Sequence, residues 1–275
     1  MPPVSATGLF VVALLPAILA AQEREDRTLL TQAQMTAIIN EVSGERAMHH
    51  VLELVPYQRI RLPAEYSGPY RETRVIADFA KQYGFANVTI ETFGPAGQMA
   101  WQPTQGELWM TTPKLTKLFD IHDIALALAS LNANGDLSAD LVDVAAGRAA
   151  DFEGKDVKGK FVLSSSSTNA TYQQAARLGA IGVLGVSAIG YQRAVDFPNQ
   201  IVSSTVNAQA GTVAWSVTPE VHHNLQALLY RGERITIRSI VKSEQVPSKQ
   251  EYVHAEIPGD GSTTQEVGIS GHLYE

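Results

Sequence analysis

The sequence has 275 residues, of which 45% are hydrophobic, so it can bury the core of one large domain or of two ordinary ones. Only 18% of the residues are charged, which excludes a generally disordered chain. The formal net charge is −7 and no cluster of Lys or Arg opposes it, which argues against a nucleic-acid-binding protein.

The amino-terminal segment has the composition of a secretory signal peptide. An apolar run extends from Leu9 to Leu15 and Pro16 interrupts it. The small residues of a cleavage region follow: Ala17, Ala20 and Ala21. The run is too short for a comfortable membrane span, although no Lys or Arg precedes it, and an uncleaved membrane anchor is the alternative. We predict a signal peptide over residues 1–21, a secreted or periplasmic location, and no stable membrane span after cleavage.

Helical spacing of apolar residues predicts the first helices. Two apolar groups on either side of Gly44 indicate two short helices or one broken helix: Met35, Ile38, Ile39 and Val42, then Val51, Leu52 and Val55. The next helix begins near Pro69 and ends at Gly84. Its apolar stripe is expected to cover one face of a sheet: Val75, Ile76, Phe79 and Ala80.

Alternating and continuous apolar runs predict the strands of the middle region. "NVTIETF" and "GELWMTTP" read as strands, and the turn-rich "GPAGQMAWQP" between them as a loop. "FEGKDVKGKFVLSSSS" indicates a turn followed by a buried strand. A helix from about Ala170 to Leu178 then ends at Gly179, and an apolar strand follows through Gly182 and Val186. A strand, helix, strand unit of this kind favours parallel pairing.

The glycines of this strand, in "GAIGVLGVSAIG", do not match a dinucleotide-binding loop, and Ser187 misses the position of a nucleophile elbow by one residue. We expect the glycines to allow close packing of this strand against the preceding helix. The polar run Ser164–Ser167 ends the strand before that helix. It lines a shallow binding surface or caps a loop, and the sequence leaves both open.

The last third of the chain predicts one helix and three strands. Thr218 is a suitable N-cap with Pro219 at the first helical position, and the helix ends at Gly232. "RITIRSIV" reads as a strand and "KSEQVPSKQ" as a polar connector. "EYVHAEI" and "QEVGIS" then read as two strands around the turn Pro258–Gly261, in a hairpin-like pattern.

Three of these pieces, in this order, carry a resemblance to a known family. "ETRVIADFAKQYGFANVTIETF" and "EYVHAEIPGDGSTTQEVGISGH" resemble the start of the co-catalytic dizinc aminopeptidases and carboxypeptidases, the family of bacterial leucyl aminopeptidases and plasma glutamate carboxypeptidase. The piece between them, "FEGKDVKGKFVLSSSSTNATYQQAARLGAIGVLGVS", is similar to the protease-associated (PA) domain that many of these enzymes carry as an insertion. The resemblance covers about Glu45 to Glu275.

The resemblance implies a fold and a domain organisation. The expected fold is α/β, an incomplete mixed-sheet zinc-peptidase domain with an inserted PA-like α/β domain. The signal peptide would occupy residues 1–21 and the amino-terminal part of the peptidase domain residues 22–118. The PA-like domain would occupy residues 119–246, and the chain would return to the peptidase sheet at 247–275.

The resemblance also implies a metal ligand. The strand matching "VGISGH" ends in the first zinc ligand of the family, here His272. Family members place an Asp two residues later, where this sequence has Tyr274, followed by Glu275. Two zinc ions need further His and carboxylate ligands and a general-base Glu, which the family places downstream of the first His. The sequence has no cysteine, so thiolate ligands are excluded.

The expected function is therefore that of the amino-terminal portion of a secreted zinc-dependent exopeptidase. The full-length parent would act on a peptide or protein substrate and would bind two zinc ions. This chain alone would be inactive and would not bind zinc tightly. The alternative is a non-catalytic secreted PA module that binds peptides or proteins on a degenerate peptidase scaffold. We expect solvated or packing roles for His49 and His50, with Glu53 one turn on, and for His222 and His223.

Overall fold

The computed structural model describes residues 30–55, 70–186 and 193–273. The predicted signal peptide, Ser187, Tyr274 and Glu275 lie outside these ranges. The chain divides into two compact units, Met1–Glu53 and Leu54–Glu275. No helix within the described ranges combines the length and the apolar character needed to cross a membrane.

Helix α1 spans Gln32–Glu41 and helix α2 spans Gly44–Leu54. Of the two alternatives for this segment, two short helices are therefore correct. Thr31 caps α1 with its side chain, which accepts from the Gln34 N–H at 3.3 Å, while the Thr31 N–H donates to Gln34 Oε1 at 2.8 Å. The helix ends at Val42, whose backbone is extended, because an extended residue cannot continue the helical hydrogen bonds.

Helix α3 (Arg71–Gln82) lies on a two-stranded sheet. The sheet pairs β1 (Ala86–Phe93) with β11 (Gln250–Glu256) in antiparallel register, so that Phe93 lies opposite Gln250. The predicted helix, its end at Gly84 and the strand after it are confirmed. Gly84 has a φ of 76°, which a residue without a side chain adopts at little cost.

A seven-stranded mixed sheet forms the rest of the described unit, in the order β3-β2-β10-β5-β6-β7-β9. Its strands are β2 (Met99–Thr112), β3 (Thr116–Asp120), β5 (Gly135–Asp143), β6 (Phe161–Ser164), β7 (Gly182–Gly185), β9 (Val213–Ser216) and β10 (Thr236–Pro247). The first four in the sheet order pair antiparallel, and β5, β6, β7 and β9 pair parallel. The predicted α/β class is confirmed, as is the parallel pairing of β6 with β7.

Two helices and a small second sheet complete this lobe. Helix α4 spans Thr168–Arg177 and helix α5 spans Pro219–Tyr230, which confirms both predicted helices. Thr218 Oγ1 accepts from the Val221 N–H at 3.2 Å, as expected of an N-cap. Short 3-10 helices occur at Ala125–Ala127 and Ala149–Phe152. Strand β4 (Ser130–Leu131) pairs in parallel with β8 (Val206–Asn207).

The core of the lobe is apolar and closed. Its fully buried side chains include Leu108, Phe161, Leu163, Leu184, Trp215 and Ile237, each 0% exposed. Burying one such side chain contributes roughly 1.5–3 kcal/mol. The one polar atom of Trp215 is satisfied, because its Nε1–H donates to Ser239 Oγ at 2.9 Å.

The seven-stranded sheet is inserted between two strands that pair with each other. Strand β1 ends at Phe93 opposite Gln250, and β2 begins at Met99 opposite Pro247. The Ser248 N–H donates to the Gln98 carbonyl oxygen at 2.7 Å between these two points. The inserted lobe therefore starts and ends at one place. The sheet begins at Met99, before residue 119, and the division of the chain at residues 119 and 246 stays a prediction.

Two segments predicted as connections are strand. Residues 99–103 belong to β2, and residues 242–247 belong to β10, because these two strands pair with each other along their whole length. The alternation that marks a strand is interrupted at both places, because the β2–β10 register shifts between Lys242 and Ser243, and because the consecutive residues Gln102 and Pro103 are both buried. Turn-rich composition therefore misled the sequence prediction at both places.

The predicted last strand, residues 265–270, is wrong. The structure has no strand there, and Val267 and Ile269 are 92% and 95% exposed. The hairpin prediction fails with it, since β11 pairs with β1 instead of with its neighbour in sequence. Alternating apolar residues supply a face, but a strand also needs a neighbour for its backbone hydrogen bonds, and none of the described strands lies beside this segment.

Candidate functional site

His272, the predicted zinc ligand, lies in the irregular segment after β11 and is exposed. Within residues 30–55, 70–186 and 193–273, no three His, Cys, Asp or Glu side chains come together in a way that could hold a metal ion. Zinc takes about four ligands, so the described residues do not fit a zinc site. The role of His272 as a ligand stays a prediction.

The two histidine pairs are not part of a metal group in the described structure either. His49 lies exposed on α2. His223 is exposed on α5, whereas His222 beside it is only 8% exposed, and the packing role expected of it is confirmed. Among the described residues, His222 Nε2 has no hydrogen-bond partner.

The ionisation of His222 follows from its surroundings. Burial lowers the pKa of His222 below its ordinary 6.5, the Asp143 carboxylate acts in the opposite direction, and His223 lowers the pKa further. Both oxygens of the Asp143 carboxylate accept hydrogen bonds from other groups. Its Oδ2 accepts from Gln226 Nε2 at 3.1 Å, and its Oδ1 accepts from the Ala145 N–H at 2.7 Å. His222 is therefore a neutral packing residue at neutral pH.

The serine run at the end of β6 is a capping structure, which settles the alternative that the sequence left open. Ser167 accepts from the Ala170 N–H and caps α4. The Ser165 and Ser166 hydroxyls donate to backbone carbonyl oxygens of residues 145 and 146, at 3.1 and 2.7 Å. Ser164 Oγ accepts from Thr171 Oγ1 at 2.9 Å. These hydroxyls satisfy the chain's own backbone and helix end.

The glycines of β7 act in packing, as expected. A Cβ atom on Gly185 would lie 2.6 Å from the backbone nitrogen of Thr168, the first residue of α4. A Cβ atom on Gly182 would overlap the Phe161 ring. Both positions therefore require a residue without a side chain, one against the helix and one against the neighbouring strand.

A groove of about 100 Å³ opens beside β2 and was not predicted from the sequence. Its lining residues come from β2, from the segment around β4 and from the segment before β8: Trp101, Gln102, Pro103, Ala125, Leu126, Leu128, Ala129, Leu131, Ser203, Ser204 and Thr205. We call it the β2–β8 groove. None of these residues is ionisable, so the groove can bind a neutral group but has no side chain for acid–base catalysis or for holding a metal.

Hydrogen bonds and strand pairing fix the positions of residues that line the β2–β8 groove. Trp101 Nε1–H donates to the Ala133 carbonyl oxygen at 3.2 Å, which fixes the indole ring. Ser204 Oγ accepts from the Asn169 N–H, in the first turn of α4, at 3.2 Å. The pairing of β4 with β8 fixes Leu131. The groove is therefore formed before any ligand arrives, as small-molecule sites usually are.

Comparisons with known proteins gave structural likenesses only, since neither a family model nor a curated protein matches the chain. An aminopeptidase from Aneurinibacillus sp. strain AM-1 is 22% identical with a TM-score of 0.45, over 81% of this chain and 50% of that chain. A peptidase M28 precursor from Shewanella amazonensis is 15% identical with a TM-score of 0.47, over 75% and 48%. BSAP, a zinc aminopeptidase from Bacillus subtilis, is 15% identical with a TM-score of 0.47, over 76% and 46%. The chain spans about half the length of these solved structures.

Proposed function

We propose that this chain supplies the amino-terminal scaffold of a zinc-dependent exopeptidase of the dizinc aminopeptidase and carboxypeptidase type, with an inserted PA-like lobe. One observation carries the proposal. The two outer pieces that resemble this family, around α3–β1 and around β11, pair with each other, and the PA-like piece lies in the lobe inserted between them. An inserted lobe on a split scaffold is the arrangement that the resemblance implies.

In this proposal the protein is exported, with residues 1–21 as the signal peptide, and acts on peptides in a secreted or periplasmic location. His272 is one ligand of a pair of zinc ions. The remaining ligands and the general-base Glu come from residues outside the described ranges, because the described residues do not fit a complete zinc site.

Zinc content and peptidase activity test the proposal. We expect residues 22–275 to bind no stoichiometric zinc and to release no amino acid from leucine p-nitroanilide. The product of the complete reading frame should bind two zinc ions and hydrolyse it, and His272→Ala should reduce both zinc content and turnover, while His254→Ala, on the exposed face of β11, should leave both unchanged. Two zinc ions and turnover in residues 22–275 alone would overturn the proposal, as would a complete reading frame that ends at Glu275.

A second function, the binding of peptides or proteins without catalysis, is favoured by the β2–β8 groove. The groove is preformed and uncharged, and it lies in the inserted lobe. This function requires no zinc and is compatible with a chain that ends at Glu275.

A further inference from the structure

The lining of the β2–β8 groove selects for an uncharged occupant. Besides alanine and tryptophan, it contains four apolar residues, the Gln102 amide and three hydroxyl residues, and none of its residues is ionisable. The four apolar residues are Pro103, Leu126, Leu128 and Leu131. A charged group entering it would lose hydration without gaining an opposite charge. A phosphate, a carboxylate or a metal ion is therefore disfavoured.

The size of the groove limits the occupant further. Its volume is about 100 Å³, somewhat less than the roughly 150 Å³ of an engineered apolar cavity that binds benzene. The half-buried Trp101 ring and the leucines offer apolar contact to a group of that size. A branched aliphatic group such as a leucine or valine side chain fits these walls.

The strand beside the groove has an open edge. The backbone N–H groups of Val206 and Ala208 donate to carbonyl oxygens of the β4 segment, at 2.9 and 3.0 Å. Because backbone groups alternate in direction along a strand, those of Thr205 and Asn207 point away from β4. Among the described strands, β8 pairs with β4 alone, and Thr205 and Asn207 are exposed. An edge of this kind can pair with an added extended chain.

Thr205 belongs to both features, since it is one of the residues that line the groove and its backbone lies on the open edge. We propose that the β2–β8 groove binds an uncharged aliphatic side chain of an extended peptide whose main chain adds to the edge of β8. The open backbone groups and the exposed hydroxyls of Ser203 and Thr205 offer hydrogen bonds that a peptide can use and a hydrocarbon cannot. This site rests on the second proposed function, peptide binding in the β2–β8 groove, and does not depend on zinc.

Titration of the ¹⁵N-labelled chain with three blocked peptides, followed by NMR, tests the site. The peptides are acetyl-Ala-Leu-Ala-amide and the versions with Asp or Lys in place of Leu. We expect the Leu peptide to bind with a Kd of about 1 mM or tighter and to shift the amide signals of Gln102, Ala129, Thr205 and Asn207. The Asp and Lys peptides should bind at least about tenfold more weakly.

Variants localise the effect. Ala125→Leu fills the groove and should abolish these shifts, whereas Ala150→Leu makes the same change in the other 3-10 helix, at an exposed position, and should leave them intact. Ser203→Asp places a negative charge at the rim and should reverse the preference toward the Lys peptide. Ser203→Asn, of the same size without the charge, should keep the preference for Leu.

The outcomes decide between occupants. Shifts in the groove with the Leu peptide that Ala125→Leu removes support the site, as does the reversal in Ser203→Asp. Equal binding of all three peptides, shifts outside the groove, or binding of isobutanol without binding of the Leu peptide would overturn it. Shifts that grow only with protein concentration would show a second copy of the chain as the occupant and would also overturn it.

Discussion

The hydroxyl of Thr73 donates a hydrogen bond of 2.7 Å to the Glu251 carboxylate, across 178 positions of the sequence. The same carboxylate oxygen accepts from the Tyr70 N–H at 3.0 Å. Lys249 Nζ lies 2.9 Å from the other oxygen, and the Glu251 side chain is only 2% exposed. Tyr70, at the N-cap position, gives α3 no side-chain cap. A strand residue from β11 therefore provides the N-terminal cap and joins the two outer pieces of the scaffold.

Replacing Glu251 tests this joint. In Glu251→Ala the Tyr70 N–H and the Thr73 hydroxyl lose a buried acceptor, which costs about 1–3 kcal/mol. We expect the free energy of unfolding in urea to fall by this amount. Glu244→Ala, at an exposed position of β10, serves as the control and should change it little. Equal losses in the two variants would contradict the capping role.

The same residue gives a pH dependence with a definite sign. Burial by itself raises the pKa of Glu251, but hydrogen bonds from Lys249, Thr73 and the Tyr70 N–H lower it by more, so the pKa lies below its ordinary 4.5. A carboxyl whose pKa is lowered on folding stabilises the folded state above the unfolded value and loses that effect as the pH falls through the folded value. The stability gap between wild type and Glu251→Ala should be constant from about pH 7 to 5 and should narrow below pH 4.5. A gap that persists at full size well below that range would contradict it.

His222 gives a second pH dependence at higher pH. Because burial lowers the pKa of His222 below 6.5, the unfolded chain binds its proton more readily, and stability falls as the pH drops below 6.5. His222→Leu should remove this part of the pH dependence and keep or increase stability at pH 8, as measured by urea unfolding across the range. His223→Leu, at the exposed neighbouring position, should keep the pH dependence. An unchanged profile in His222→Leu would exclude His222 as the titrating group.

Gly185 tests the packing of β7 against α4. In Gly185→Ala the new Cβ atom would lie 2.6 Å from the Thr168 backbone nitrogen, and backbone can shift little to relieve this. We expect a loss of about 1–3 kcal/mol in unfolding free energy, or more. Gly259→Ala, where nothing lies within 4 Å, is the matched control and should cost much less. A tolerated Gly185→Ala would show that the helix can move away from the strand.

Ser239 tests the buried hydrogen bond of the core. Ser239→Ala removes the acceptor of the Trp215 indole N–H inside a closed apolar cluster, which costs about 1–3 kcal/mol. Thermal unfolding should show a lower Tm. Ser138→Ala, on the exposed face of the neighbouring strand, should leave the Tm nearly unchanged. Equal Tm values for the two variants would contradict the role of Ser239.

Elements defined by neighbours in sequence were predictable. Helix α5 follows from Thr218, Pro219 and Gly232, and the ends of α3 and α4 follow from Gly84 and Gly179, because caps and helix ends act over three or four residues. The parallel unit of β6, α4 and β7 follows from the order of its apolar segments.

The candidate site was less predictable than the fold. His272 was named from a resemblance, and the described residues bring no group of three metal donors together around it or elsewhere. The β2–β8 groove was missed, since its walls come from three separate segments. Trp101, a large aromatic residue in a stretch that reads as a loop, is a sequence signal that points to it.

Composition, apolar periodicity and cap residues were enough to establish an α/β protein with these helices and most of these strands, because each depends on interactions a few residues long. Packing between distant segments decided that β10 continues to Pro247, that residues 265–270 form no strand, and that Glu251 caps α3. The physical reason is that backbone hydrogen bonds and buried carboxylates need partners, and those partners lie far away along the chain.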